Sequence, residues 1–453
     1  MDNMTAFMEK HFLPIAHKIG TQRHLSAMKD GFIATLPVAL VGALAAMFNN
    51  VFFGPTTIVG ELLNRMAWYA NTVQPFLDAT LVPMMSQLWW ATLALAVIFS
   101  TFAIAYNLTR NMGEDGLQGG ICAVAAYLVT LSQSATMSGL TDLYDPTGAA
   151  VEQLSGWGFL HWTSFNSQAI FAGLLTALVA SEIFCWVKRK GWIIRMPEEV
   201  PPAVSRSFSA VIPTGLTLLI FSIVGVFFLN VVGMAFGVWI NEMLQTPLVR
   251  LGQSPATLIF LLIFSQLLWL FGLHGMNIVE PALNLMYNPP LAENLELVEQ
   301  GLEPIHALTR NFLDVYGMHG GSGSTLALLI AIFIFSRRES DRSLAKMAVV
   351  PGVFQINEPV IFGLPIVLNP FFAIPFIFVP AINVFIAWFF TAVIPFAGKL
   401  FMSPPWTMPP VIDAFLASGG DIGATIMGAV TFVLAILMYI PFVILSNREA
   451  EVE

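Results

Sequence analysis

Long apolar runs dominate this sequence and restrict what it can fold into. A helix needs about 20 mostly apolar residues to cross the hydrocarbon layer of a membrane. Ten runs reach or approach that length, near residues 31 to 53, 84 to 106, 117 to 137, 168 to 187, 208 to 234, 256 to 279, 322 to 336, 347 to 366, 368 to 396 and 422 to 446. Only 10% of the residues are charged, whereas soluble domains carry about 25%. The sequence therefore predicts an all-α polytopic membrane protein.

Basic residues lie at four places along this series of runs. They precede the first run and follow the fourth, the seventh and the last, as Lys10, Lys18, Arg23 and Lys29; Lys188, Arg189, Lys190 and Arg195; Arg337, Arg338, Arg342 and Lys346; and Arg448. Loops rich in Lys and Arg lie in the cytoplasm. We therefore expect both termini and the 337 to 346 loop to be cytoplasmic. Residues 111 to 187 contain no Lys or Arg, so the 138 to 166 segment is expected outside.

These sides conflict with ten simple crossings. Three crossings between Phe208 and Ser336 would place Arg337 outside, so one segment there enters and leaves on the same side, or a short extra span is hidden. The Gly-rich residues 316 to 325 are the best place for such a break. If 347 to 366 is a re-entrant hairpin, Arg448 returns to the cytoplasm. Broken segments of this kind are the strongest sequence pointer to a transport site.

Several polar and aromatic residues in apolar surroundings need a reason. Ionisable groups cost about 2.5 to 3.5 kcal/mol at the centre of a membrane helix and are candidates for function. Asn357 and Glu358 can bind hydroxyls, His274 can exchange a proton, and Trp269 and Trp406 offer flat faces to a pyranose ring. Each also has a structural interpretation: a brace for the hairpin turn, a satisfied core histidine, or aromatic anchors at the membrane boundary. Together they indicate a sugar site.

The sequence also excludes several classes of function. Cys122 and Cys185 both lie inside apolar runs, so neither a disulfide framework nor a metal cluster is expected. There is no phosphate-binding loop or dinucleotide fingerprint, which disfavours an ATP-driven pump unless another subunit supplies the motor. No cofactor, metal or nucleic acid is expected as a partner.

A proline-containing segment divides the chain. Residues 196 to 213, "MPEEVPPAVSRSFSAVIP", begin with acids and prolines and continue with polar residues among apolar ones. This pattern is typical of an amphipathic linker along the cytoplasmic surface. It separates an N-terminal membrane region, 1 to 195, from a C-terminal region, 214 to 453, which contains both predicted breaks.

Several motifs resemble enzyme IIC, the membrane component of bacterial sugar phosphotransferase systems, in its lactose, cellobiose and diacetylchitobiose branch. They are "FQINEPVIFGLPIVLNP" (354 to 370), "FGLHG" (271 to 275), "GGSGSTLALLIAIFI" (320 to 334) and "PPWTMP" (404 to 409). Residues 13 to 37 and 201 to 213 are similar to the same family, so the resemblance covers nearly the whole chain. It implies a homodimer in the bacterial cell membrane, with about ten spans and two re-entrant hairpins per protomer. Residues 1 to 195 would be the oligomerisation scaffold and 214 to 453 the transport domain.

The resemblance also implies a substrate and a partner. A β-linked disaccharide such as cellobiose or diacetylchitobiose would bind in the transport domain, with Glu358 and His274 near the hydroxyl that is phosphorylated. Asn357, Trp269 and Trp406 would complete the pocket. The phosphoryl group would come from a phosphocysteine on a separate cytoplasmic IIB protein, so this chain would be the membrane subunit and not the phosphoryl donor. The segments 138 to 166 and 288 to 311, interpreted as loops, have no counterpart in this pattern.

Two other classes of function stay open at this point. An ion-coupled secondary sugar transporter would use Glu358 and His274 as a proton relay and would release unmodified solute. A structural or receptor protein would tolerate substitution at Glu358.

Overall fold

A computed structural model describes residues 22–55, 57–138, 153–270, 273–364, 366 and 370–449. The predictions made for both termini, for the motif residues Phe271 and Gly272, and for residues 139 to 152 of the predicted external segment lie outside these ranges.

Helices form most of the described regular structure, as the apolar runs predict. Those before residue 253 are α1 (Arg23–Met47), α2 (Ile58–Asn64), α3 (Gln74–Ala79), α4 (Leu81–Ala91), α5 (Ala96–Asn111), α6 (Gly116–Val129), α7 (Ile170–Arg189), α8 (Pro202–Ser209), α9 (Val211–Phe227), α10 (Phe236–Ile240) and α11 (Thr246–Gly252). Those after it are α12 (Pro255–Leu270), α13 (Gly275–Glu299), α14 (Phe312–Gly317), α15 (Thr325–Phe335), α16 (Glu339–Val353), α17 (Glu358–Gly363), α18 (Pro370–Trp388), α19 (Ile412–Ala417) and α20 (Ile422–Glu449). Short π-helical turns lie at Phe48–Phe53, Tyr69–Val73, Phe228–Val232, Asn241–Gln245 and Phe389–Val393.

Most of the predicted runs coincide with helices suited to a membrane. Six helices among the described residues are long and apolar enough to cross, or up to eight if each of two bent pairs is one span. Two runs fall outside this set. The run at 117 to 137 contains the shorter helix α6, and the run at 347 to 366 is interrupted between α16 and α17. The predicted total of about ten crossings stays a prediction.

The chain packs into two compact units. Of the described residues, the middle unit contains those within 23 to 36 and 94 to 247, and the C-terminal unit contains those within 37 to 93 and 248 to 449. These units are defined by contacts within the chain. The predicted division into scaffold, linker and transport domain is defined by function, and it stays a prediction.

In the middle unit, helices α5, α6, α7 and α9 pack closely. A Cβ at Gly119 would lie only 2.1 Å from Thr109 Oγ1, so the glycine allows α5 and α6 to approach. At one end of this unit Lys188 pairs with Glu114 at 2.9 Å. The exposed linker helix α8 lies at the same end, because Arg206 approaches Asp115 at 3.8 Å.

In the C-terminal unit, buried side chains form two main hydrophobic clusters. The first joins α12, α15, α16, α17, α18 and α20, and its members include Trp269, Leu326, Val360, Ile361 and Phe376. The second joins α12, α13, α14, α18, α19 and α20, and its members include Leu262, Tyr287, Phe312, Val384 and Met427. Helices α12, α18 and α20 belong to both clusters and connect them.

Both predicted helix breaks are present in the C-terminal unit. Between α14 and α15, Gly320, Gly321 and Gly323 have φ values of 87°, 95° and 76°, which other residues rarely adopt. Between α16 and α17 the chain leaves the helix at residues 354 to 357. Entry and exit of these segments on one side of the membrane stay a prediction.

Two loop interpretations were wrong in part. The segment at 138 to 166 was interpreted as a loop, but β2 (Gln153–Trp157) lies within it and pairs antiparallel with β1 (Ser134–Ser138). The segment at 288 to 311 is helical as far as Glu299, because α13 continues through the buried prolines Pro289 and Pro290. Prolines are tolerated in helices that neighbouring protein surrounds.

Candidate functional site

The side chain of Gln355 joins three non-helical segments of the C-terminal unit. Its Oε1 accepts hydrogen bonds from the backbone N–H groups of Gly320 at 2.6 Å and Gly321 at 2.8 Å. Its Nε2 donates to the carbonyl oxygen of Met408 at 3.2 Å. The break after α16 is thereby tied to the Gly-rich loop and to the segment that carries Trp406.

Asn357 holds the same Gly-rich loop from a second position. Its buried side chain donates from Nδ2 to the carbonyl oxygen of Ser322 at 2.7 Å. Its own carbonyl oxygen accepts the N–H groups of Val360 and Ile361, which begins helix α17. In this conformation Asn357 therefore orders the backbone around Glu358.

The far side of the Gly-rich loop is held by α20. The hydroxyl of Tyr439 donates to the carbonyl oxygen of Gly323, and Nε2 of His319 lies 3.0 Å from Thr431 Oγ1. Both Tyr439 and His319 are buried. Non-helical backbone at membrane depth needs such internal partners, and here side chains of two neighbouring segments supply them.

Glu358 is exposed, although the residues around it are packed. It is the first residue of α17 and is followed by Pro359, which suits the first turn of a helix. Val360 and Ile361 are fully buried in the first hydrophobic cluster. The Glu358 side chain is thus exposed at the start of a helix whose next residues are fixed in the core.

His274 and Trp269 form a pair at the start of α13. Nδ1 of His274 accepts the N–H of Asn277 at 3.3 Å, which places the proton of a neutral imidazole on Nε2. The ring centroids of His274 and Trp269 are 4.4 Å apart. His274 is exposed, whereas Trp269 is only 3% exposed. In this conformation the indole of Trp269 supports the imidazole from the core.

Trp406 is the exposed aromatic residue of the predicted set. Its side chain is 57% exposed and lies on a turn between the proline pairs of "SPPWTMPP". The Gln355 bond to Met408 connects this turn to the segment of Glu358. Trp269 belongs to the same hydrophobic cluster as Val360 and Ile361 of α17. The five predicted residues therefore lie on segments that bond to or pack on one another within one unit.

The family model for "Phosphotransferase system, EIIC" matches residues 29–380. This chain belongs to that family. It is 31% identical to the cellobiose-specific EIIC component of Lactococcus lactis subsp. lactis (strain IL1403) over 493 residues, which cover all of both chains. It is 30% identical to the lichenan permease IIC component of Bacillus subtilis (strain 168), covering 98% of this chain and 93% of that one.

A solved structure agrees with this assignment. The crystal structure of the transporter ChbC, the IIC component of the N,N'-diacetylchitobiose-specific phosphotransferase system, matches with a TM-score of 0.88. The two sequences are 28% identical, and the match covers 98% of each chain. The protein is accordingly a mainly helical, multi-pass bacterial membrane protein and a sugar permease that works with a IIB partner. Membership of this family disfavours an ion-coupled secondary transporter.

Backbone geometry marks the same three segments of this EIIC protein. Among the described residues, positive φ at non-glycine positions occurs at Ser324, Gln355 and Val411, with values of 56°, 66° and 73°. Such conformations cost about 1 to 3 kcal/mol and persist where surrounding contacts impose them, often at functional sites. Each of the three residues lies in one of the segments that Gln355 connects.

The sequence did not predict the buried residues whose hydrogen bonds hold the segments of the candidate site together. Gln355 lies in the motif of residues 354 to 370, but its partners lie 35 and 53 residues away in the chain. His319 and Tyr439 read as members of apolar or Gly-rich stretches. Of these residues, only Gln355 had a sequence signal, because it lies two residues before Asn357 in the motif of residues 354 to 370.

Proposed function

We propose that this EIIC protein imports a β-linked disaccharide such as cellobiose or diacetylchitobiose. The relatives named for cellobiose and diacetylchitobiose match this chain along nearly its whole length. The observation that carries the proposed site is the three-way bonding of Gln355, which gathers the Glu358 segment, the Gly-rich loop and the Trp406 segment. Exposed Glu358, His274 and Trp406 supply the hydroxyl-binding, proton-exchanging and ring-stacking groups of a sugar site.

In the proposed reaction the sugar hydroxyl is phosphorylated by the IIB partner. The hydroxyl oxygen attacks the phosphorus of phosphocysteine, the P–S bond breaks, and the cysteine leaves as a thiolate. Glu358 accepts the hydroxyl proton as general base or orients that hydroxyl. His274, with its proton on Nε2, donates a hydrogen bond to the same sugar. The phosphorylated product is an anion and cannot return through the apolar membrane.

We further propose the arrangement of the whole protein. Residues 1 to 195 form the scaffold of a homodimer, residues 196 to 213 the cytoplasmic linker, and residues 214 to 453 the transport domain. Both termini lie in the cytoplasm. The Lys188–Glu114 and Arg206–Asp115 pairs support a shared side for the linker and the basic residues after α7.

Uptake into membrane vesicles tests the proposed function. Vesicles that contain the protein receive labelled cellobiose or diacetylchitobiose outside, with or without phosphorylated IIB protein inside. We expect a disaccharide phosphate to accumulate only when the partner is present. Accumulation of free sugar in response to a proton gradient, with no partner, would support the secondary transporter instead.

A further inference from the structure

The turn that carries Trp406 is held at both ends by buried amides. At its start, Asn311 donates from Nδ2 to the carbonyl oxygen of Met402 at 2.6 Å. At its end, Gln355 donates from Nε2 to the carbonyl oxygen of Met408 at 3.2 Å. The side chains of Asn311 and Gln355 are 6% and 8% exposed. Residues 403 to 407, the Trp406 loop, therefore run between two fixed carbonyl groups.

A third amide fixes the chain just before this loop. Asn294, fully buried in α13, donates from Nδ2 to the carbonyl oxygens of Leu400 at 2.9 Å and His306 at 2.8 Å. Its Oδ1 accepts the N–H groups of Ile305 at 3.0 Å and His306 at 2.8 Å. Lys399 adds a bond from Nζ to the carbonyl oxygen of Pro304 at 2.9 Å. The segment at 301 to 311 thus serves as a base for the chain that leads to Trp406.

Prolines restrict the Trp406 loop and the chain that directly follows it. Pro404 and Pro405 precede Trp406, and Pro409 and Pro410 follow it. A proline ring holds φ near −65°, which removes conformations that the loop would otherwise lose on binding. Fixing a binding loop beforehand lowers the entropic cost of association. Anchors and prolines together present an exposed indole on a fixed backbone.

We propose that Asn311 and Gln355 are positioning residues that hold the Trp406 loop in its ligand-binding conformation. The proposal rests on the proposed function in one respect, the contact between Trp406 and the sugar. Neither amide touches the solute, and both act through the indole. Gln355 lies three residues before Glu358 and also bonds to the Gly-rich loop. The stacking residue Trp406 is therefore fixed relative to the carboxylate that binds the hydroxyl.

Loop order is measured first, without sugar. A nitroxide is attached to Trp406→Cys in a chain in which Cys122 and Cys185 are replaced by serine, and its mobility is read by electron paramagnetic resonance. We expect an ordered spectrum that gains a mobile component with Asn311→Ala or Asn311→Asp, because both remove the Nδ2 donor. An unchanged spectrum in both variants would overturn the proposal.

A buried amide elsewhere provides the matched control. Gln245 in the middle unit donates to the carbonyl oxygen of Ser167 at 2.8 Å and accepts the N–H of Phe171 at 3.3 Å. Gln245→Ala removes bonds of the same kind without touching the Trp406 loop. We expect it to leave the spectrum unchanged, and a mobile component there would mean that general loosening explains the result.

Sugar binding is measured second, with Trp406 present. Asn311→Ala should weaken binding of cellobiose or diacetylchitobiose about 2- to 12-fold, the range of one neutral hydrogen bond. In the Trp406→Ala background the same change should have no further effect, because it acts through the indole. An effect of Asn311→Ala that persists without the indole would overturn the positioning role.

The two proposals fail in different ways. If Trp406→Ala leaves sugar binding unchanged, the proposed contact with the sugar is wrong, whereas the spectra still decide whether the amides order the loop. If Trp406→Ala weakens binding and Asn311→Ala does not, the site stands and the positioning proposal is wrong. Asn311 is the better test position, because Gln355→Ala also removes the bonds to Gly320 and Gly321.

Discussion

The carboxylate of Glu358 is an exposed charge next to fully buried Val360 and Ile361. Glu358→Gln preserves size and hydrogen bonding but removes the charge and the base. General acid–base groups contribute about 10²- to 10⁴-fold to a rate, so we expect sugar phosphorylation to fall by about 10²-fold or more. Expression and assembly should be unchanged, because the side chain is exposed. The measurement is disaccharide phosphate formed in vesicles with phosphorylated IIB.

Glu303 offers a matched control for that change. It is also an exposed carboxylate of the C-terminal unit, in the segment that follows α13. Glu303→Gln removes the same charge and should leave phosphorylation unchanged. Normal activity in Glu358→Gln would show that its carboxylate only braces the hairpin.

Polar or aromatic residues that interrupt an apolar run could be selected from the sequence as candidate site residues. Residues that bond to distant parts of the chain could not. Glu358, Asn357 and Trp406 are polar or aromatic outliers beside prolines, and this pattern was sufficient to select them. Trp269 was expected to stack on the sugar, but in this conformation its indole lies in the core against His274. Asn311 showed no local sign of its partner, because Met402 lies 91 residues away.

At the scale of elements, the Gly-rich loop packs closely against the segment that precedes α17. Gly321 has φ near 95°, and a Cβ there would lie 2.7 Å from Asn357 Cγ and 2.8 Å from the carbonyl oxygen of Gln355. Gly321→Ala must therefore displace the segment that precedes Glu358. We expect loss of sugar binding, measured by calorimetry, and a lower unfolding temperature in detergent.

Gly301→Ala is a control that has the backbone cost of a positive φ without the steric clash expected at Gly321. The φ of Gly301 is 73°, but a Cβ there meets nothing within 4 Å. Gly301→Ala should carry only the backbone cost of about 1 to 2 kcal/mol and should bind sugar normally. Equal behaviour of the two variants would show that contact between the Gly-rich loop and Asn357 does not matter for the site.

The length of the apolar runs predicted which segments are helices, but it did not predict where each helix or strand ends. The strands of the ribbon, "SATMS" in β1 and "QLSGW" in β2, are only five residues long, and their few apolar residues do not separate them from the polar loop between them. Only the backbone pairing reveals the ribbon. Pro289 and Pro290 suggested a loop, yet buried contacts of α13, including Tyr287 and Asn294, keep the helix intact. Buried contacts therefore outweighed the local preference of the prolines in α13.

At the scale of the whole molecule, one contact bears on how the chain crosses the membrane. The backbone N–H of Arg337 donates to Asn447 Oδ1 at 2.9 Å, and Arg338 Nη1 donates to Ser446 Oγ at 3.3 Å. The end of α15 and the end of α20 therefore lie on the same side of the C-terminal unit. Three apolar runs separate them, so an odd number of full crossings is excluded. This agrees with the prediction that the run at 347 to 366, which is broken between α16 and α17, is a re-entrant hairpin.

Labelling of single cysteines in intact cells tests this arrangement. In a chain in which Cys122 and Cys185 are replaced, Thr163→Cys should react with an impermeant maleimide from outside, because it lies in the segment without basic residues. Arg338→Cys should react only after the membrane is permeabilised, since loops rich in Lys and Arg lie in the cytoplasm. Reaction of Arg338→Cys from outside would place the end of α20 outside as well, because Asn447 Nδ2 donates to Phe335 O at 2.9 Å and holds the two ends together. The prediction of a cytoplasmic C-terminus and of a re-entrant segment near residues 316 to 325 would then be wrong.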